Sequence, residues 1–154
     1  MPISVTTAMP TSFKVEILKA VHNFTASTGN TFKLALMKAT AAGSGTYGAA
    51  TTSYTDLTGN SDEVPNGSGY TTGGKTLTSV TPVADGTTAV CDFDNTTWSG
   101  ATFTTCGGII YNDSAAGDPA CAVLSFGGDQ SVSSGDFQIQ FPSPAASTAI
   151  IRIA

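Results

Sequence analysis

Only one stretch of this 154-residue chain carries apolar residues at helical spacing. Phe13, Ile17, Leu18 and Val21 fall at i, i+4, i+5 and i+8, which predicts a helix over about Thr11 to His22. Thr11 or Ser12 is placed to cap it. Its apolar stripe must lie on another element, most simply a sheet. Elsewhere the apolar residues alternate or come in short runs broken by Gly, Pro, Asn, Asp and Ser. Charged residues make up 11% of the chain, against about 25% in ordinary soluble domains. The Glu, Lys and Arg that cover exposed helices are scarce, and β-branched Thr, which suits strands, stands in their place.

The strand pattern is read segment by segment. Thr31 to Lys38 places Phe32, Leu34 and Leu36 on one face. Lys75 to Val83 follows, then Asp85-Gly86, a hairpin turn, then Thr88 to Phe93 with Ala89, Cys91 and Phe93 against Val90 and Asp92. Asp94 to Trp98 reads as a turn into a strand from Ala101 to Tyr111. Ala120 to Phe126 ends at a turn, Gly127-Gly128-Asp129, and Phe137, Ile139 and Phe141 alternate cleanly with Gln138 and Gln140. Ala149 to Ile153 closes the chain. The expected fold is mostly β: a single-domain β-sandwich or barrel-like sheet, with one N-terminal helix packed on it and an extended N-terminal arm. Residues 1–10 read as the arm, since Pro2 and Pro10 oppose helix, and 11–154 as one β-rich domain. Within it, 39–74 is a long Gly/Ser/Thr-rich region without a sustained period. A stretch of that kind is either disordered or functional, and the recurrence of Tyr47, Tyr54 and Tyr70 favours ordering, at least upon a partner.

Chemistry is sparsely represented. The net charge of −5 gives no basic face for nucleic acid or an anionic membrane, and no window is apolar enough to span a bilayer. The N-terminus lacks the pattern of a secretory signal. Cys91, Cys106 and Cys121 are odd in number and isolated, so they are expected as buried free thiols in a reducing cytosol. The N-x-S/T sequons at Asn23, Asn66, Asn95 and Asn112 arise by chance in a Thr-rich chain. His22 is the single histidine and is expected to meet the C-terminal dipole of the helix. Asp92 and Asp94 share a strand face but lack the spacing of a calcium loop, and read as a solvent face. Trp98 is expected in the core. No catalytic, cofactor-binding or metal-ligating set emerges, and the chain reads as non-enzymatic.

Several segments nevertheless resemble a known group. They are Gly29 to Leu36, the Glu63-Val64-Pro65 to Gly74 stretch with Gly69-Tyr70, and Thr97-Trp98 leading to Ile110-Tyr111-Asn112. The last runs from Val123 to Asp129 through Phe137 to Pro142 and on to Ile150 to Ile153. Together they are similar to small virion structural proteins of tailed bacteriophages, cyanophages and prophages, some of which are capsid decoration (cement) proteins. The resemblance implies a protein that binds and stabilises the outer capsid without chemistry, made in the bacterial host cytoplasm and carried on the virion exterior. Its partners would be the phage major capsid protein and itself, as a dimer or trimer at a symmetry axis. The expected contacts are Ile3 and Val5 in the arm and Tyr47, Tyr54, Leu57 and Tyr70 in the long region. Ordering those segments costs about 1–2 kcal/mol per residue, and they hold few apolar groups to offset it internally, whereas Tyr is an efficient interface residue. Two alternatives stand: a tail or fibre structural component, and a carbohydrate-binding adhesion domain using Trp98 with Asp94 and Asn95.

Overall fold

Leu34, Ala35, Leu36 and Met37 are all fully buried, as are Ile109 and Ile110. Neighbours in a strand point to opposite faces, so runs of this kind require a sheet covered on both sides. A computed structural model, which describes residues 1–154, shows that sheet and both covers.

The central sheet has four strands in the order β4-β2-β7-β8, formed by β2 (Phe32–Leu36), β4 (Lys75–Leu77), β7 (Thr96–Asn112) and β8 (Ala120–Ile139). All its pairings are antiparallel, and β7 with β8 forms a long hairpin from Tyr111↔Ala120 to Thr96↔Ile139. On one face lies a second sheet, β5-β6-β9, built from β5 (Ser79–Asp85), β6 (Thr88–Phe93) and β9 (Ile151–Ile153). Between the two sheets sits the larger core, with Phe32, Leu34, Leu36, Phe93, Ile110 and Ile151. This is a mostly β, sandwich-like single domain. Helix α1 (Thr11–Leu18) closes one side of that core by burying Phe13.

The opposite face of the central sheet carries a second core, with Ala35, Met37, Ile109, Tyr111 and Val123. Its cover is made by the N-terminal arm and the 39–74 region. Strand β1 (Ser4–Val5) pairs in parallel with β3 (Thr46–Tyr47), and the short helix α2 (Tyr54–Gly59) brings Leu57 down onto the sheet. A capping box, Ser53 with Asp56, starts α2. Ala8 bridges to Val123, which fastens the arm to β8. Gly74 is needed where the chain returns to the sheet: its φ is +77°, and a Cβ there would collide with the Leu34 carbonyl.

Four expectations change. The 39–74 region is not a loop awaiting a partner but a layer of the domain itself. The segment Lys75 to Val83 divides into β4 and β5, which belong to different sheets. Gly127-Gly128-Asp129 is no turn: β8 runs through it, and the extra residues between Thr105↔Gln130 and Gly107↔Ser125 form a bulge. Helix α1 stops at Leu18, and Ala20 turns the chain away with a φ of 56°. At 3.6 residues per turn Leu18 lies about 140° around the axis from Phe13, and it is 88% exposed. Val21 falls beyond the helix. No helix is long and apolar enough to cross a membrane.

The two helix positions should therefore separate in a denaturant melt. Phe13→Ala removes a fully buried ring and is expected to cost about 3–5 kcal/mol, while Leu18→Ala should stay within about 0.5 kcal/mol of the parent protein. Equal losses would contradict this placement of the helix.

Candidate functional site

The densest polar arrangement in the molecule is organised by two adjacent carboxylates, Asp62 and Glu63, which are 1% and 9% exposed. They sit on a short extended segment beside the end of β2. The Lys38 N–H donates to the Asp62 carbonyl (2.8 Å), and the Val64 N–H donates to the Leu36 carbonyl (2.9 Å). Because successive side chains alternate, the two carboxylates diverge.

Asp62 turns toward the 43–47 segment. Its Oδ2 accepts from the Gly45 N–H (2.7 Å) and the Tyr47 hydroxyl (2.8 Å), and its Oδ1 from the Ser44 N–H (3.2 Å). A Cβ on Gly45 would come within 2.6 Å of Oδ2, so this close cradle requires glycine. Glu63 turns the other way. Its Oε2 accepts from the Tyr54 hydroxyl (2.6 Å), and its Oε1 from the Tyr70 hydroxyl (2.7 Å) and the Gly73 N–H (2.7 Å). The Tyr70 oxygen also accepts from the Leu36 N–H (3.0 Å), so this phenol ties β2 to Glu63. Tyr111 stacks on Tyr54 at 4.5 Å and donates to the Gly73 carbonyl (2.7 Å). All four tyrosines of the chain thus belong to one network. No cation neutralises the carboxylates; N–H and O–H donors do.

This arrangement shifts the phenols. Burial is the main cause of the raised pKa of Tyr47, Tyr54 and Tyr70, and the bonded carboxylate adds to it. Tyr111 is raised by burial and by the neighbouring Tyr54. A phenolate here would be buried and set against a carboxyl group.

These facts correct the expected contact residues. Ile3, Tyr47, Leu57 and Tyr70 are 4%, 1%, 0% and 2% exposed, so their side chains are spent inside the chain and offer nothing to a partner. Val5 and Tyr54 are half-buried against the same core. Nothing in the sequence pattern marks Asp62 and Glu63: a carboxylate pair in a Gly/Ser/Thr-rich stretch looks like a solvated loop. The one available signal is that they are the only adjacent acidic residues in the chain and lie among three tyrosines.

The other titratable groups also sit differently from expectation. His22 does not meet the helix end through the dipole. It lies past it with its side chain fully buried, and its Nε2 is 2.9 Å from Glu16 Oε2. Asn112 Nδ2 is 3.0 Å from His22 Nδ1 and Cys121 Sγ is 3.7 Å from the same nitrogen. Asn112 Oδ1 accepts the Ser114 N–H (3.0 Å), which fixes the amide and makes Nδ1 the acceptor and Nε2–H the donor to Glu16. A thiol, an imidazole and a carboxylate in sequence resemble an activated nucleophile. Cys121 is nevertheless 0% exposed, and burial pushes its pKa up, so the group is a thiol within a core hydrogen-bond chain. All three cysteines are free and buried, with burial pushing Cys91 up to about 12. Asp92 is not on a solvent face: it is 4% exposed, its Oδ1 has no hydrogen-bond partner, and burial raises its pKa. Asp94 is exposed. Trp98 is 4% exposed and so is not the surface platform that the carbohydrate reading needs. The largest groove, about 390 Å³, runs between Lys38, Pro65, Asn66 and Phe103, and its lysine already donates to the Ser61 carbonyl (2.6 Å).

No protein-family model matches the sequence, and no curated protein or solved structure matches it.

Alkaline titration tests the network. A phenol whose folded pKa is raised contributes stability that is present below the unfolded value near about 10 and lost as pH rises through the folded value. The 295 nm absorbance of the native protein should therefore stay flat past that pH, then rise for all four tyrosines together as the fold is lost. Independent ionisation near the ordinary phenol value would contradict the network.

The two kinds of buried carboxylate should respond oppositely to amidation. Glu63→Gln places an NH₂ against donors and should cost about 1–3 kcal/mol. Asp92 has a raised folded pKa, so its charge works against folding at neutral pH and ceases to as pH falls. Asp92→Asn should leave neutral-pH stability unchanged or higher in urea melts.

Proposed function

We propose that the chain is a structural virion protein that binds and stabilises the outer capsid of a tailed bacteriophage, as a decoration protein. The segment-by-segment resemblance supplies the class. The observation that carries the proposal is a set of unpartnered apolar groups exposed on α1 and β9, with Lys14, Glu16, Lys19 and Arg152 at their rim. On α1, Leu18 and Val15 are 88% and 47% exposed, and on the neighbouring sheet Ile153 is 52% exposed. Beside Ile153 lies a mostly apolar hollow of about 140 Å³, which Ile17 of α1 lines together with His22, Phe24, Pro82, Ile151 and Ile153. Exposed apolar groups of this kind, with a polar and charged rim, suit a contact made by area and shape. The major capsid protein is the partner on this reading, and the contact passes from the buried tyrosines to α1 and the β9 edge.

Purified protein mixed with emptied, expanded heads tests the proposal. Leu18→Lys should melt as the parent does, because the side chain is in solvent and a cation suits the last turn of the helix, and should lose at least about tenfold in affinity for heads. Saturation of heads at unchanged affinity would reject this surface. Binding of the parent protein to purified tails in preference to heads would reject the capsid as the partner.

A further inference from the structure

The outer edge of β8 is guarded along most of its length. The arm engages Val123, and the Ser125 N–H donates to Thr7 Oγ1 (2.9 Å). The bulge at Gly127-Gly128 and a left-handed residue, Ser134 at φ 49°, interrupt the next part. Pro142 ends it. Between Ser134 and Pro142 the edge carries no lysine, no proline and no covering element, and β7 is the only strand paired with it.

That window is a palindrome, Phe137-Gln138-Ile139-Gln140-Phe141. The Phe141 N–H turns inward to Asn95 Oδ1 (2.8 Å), and Thr96 faces Ile139 across the hairpin. The alternation of exposed and half-buried residues continues past the end of β8 at Ile139 as far as Phe141; it directs the N–H and C=O groups of Gln138, and of Gln140 just beyond the strand, outward, where they find no backbone partner. Phe137, Ile139 and Phe141 are half-buried and pack against the larger core, while both glutamine side chains are exposed.

The geometry points to a two-fold self-association in which β8 pairs antiparallel with β8 of a second copy, centred on Ile139. In that register Gln138 faces Gln140 of the second copy and Phe137 faces Phe141, so like meets like on each face, as a two-fold contact demands. Gln138 and Gln140 become the hydrogen-bonded pairs, with about four new backbone bonds across the axis. Charge allows it in a chain of net charge −5: Asp136 is the only charged residue from Gln130 to Ile151, and it faces Pro142 rather than its own copy. The pairing needs no capsid and holds whichever particle the protein decorates.

Sedimentation of the purified protein alone tests the pairing, so its failure is distinct from a failure of head binding. The parent chain should show a concentration-dependent monomer–dimer equilibrium. Gln138→Lys with Gln140→Lys sets lysine opposite lysine and should weaken it at least about tenfold. Gln138→Lys with Gln140→Glu sets lysine opposite glutamate in this register and should restore it, whereas a register centred on residue 138 would still oppose two lysines. Should the lysine variants fail to melt cooperatively, Gln140→Pro removes an outward donor used by no internal bond, and should also abolish the dimer. A parent chain monomeric up to millimolar concentration, a dimer indifferent to the double lysine or to proline, or no recovery with the Lys/Glu pair would each overturn the proposal.

Discussion

Asp62 and Glu63 leave one extended segment in opposite directions, and each gathers donors from a different part of the chain. Asp62 collects the 43–47 segment through backbone N–H groups and Tyr47, and Glu63 collects Tyr54, Tyr70 and Gly73. Burying a carboxylate without donors would be very costly. The donors in turn need fixed acceptors in order to be buried, so the two requirements lock together. This exchange holds the 39–74 region against the sheet. In that position it covers the second face of the central sheet, over Ala35, Met37, Ile109 and Tyr111. The N-terminal arm depends on it as well, because β1 has β3 as its strand partner.

How much of this was legible depends on whether a segment's structure is set locally. Strand β2, the hairpin at Asp85-Gly86 and the Phe137 to Phe141 alternation follow from period and turn chemistry; β2 and the alternation are where the pattern places them, although β8 ends at Ile139, and the hairpin turns one residue later, at Gly86-Thr87. The helix was legible in position but not in extent: Phe13 and Ile17 share a face, and the i+5 spacing of Leu18 only imitates a stripe. Gly127-Gly128 has turn chemistry yet bends a continuing strand, because β7 offers partners on both sides of the bulge. The 39–74 region could not be read, since its acceptors lie beside its own tyrosines only after Asp62 to Val64 have paired with Leu36 to Lys38. A tyrosine suits an interface and suits a buried carboxylate for the same reason, an apolar ring with one polar tip. Sequence does not separate those uses.

The internal use of the arm and the tyrosines decides what remains for partners. With Ile3, Tyr47, Leu57 and Tyr70 buried, the unpartnered features are the apolar group on α1 and β9 and the bare stretch of β8. Both belong to the framework that is ordered before any contact, so association through them would not require a segment to fold on binding.

Hydrogen exchange of the isolated protein, at a concentration where it is monomeric, separates a region held by its own carboxylates from one that orders only on a partner. The Gly45 and Gly73 amides belong to a glycine-rich stretch and owe their bonds to Asp62 and Glu63. If the carboxylates fold the region within the single chain, both amides should exchange only with opening of the domain, at rates matching the Leu36 amide held by Tyr70. Exchange of Gly45 and Gly73 at the rate of an unstructured peptide, with β2 and β7 still protected, would show that the region orders only against a partner and would contradict the account.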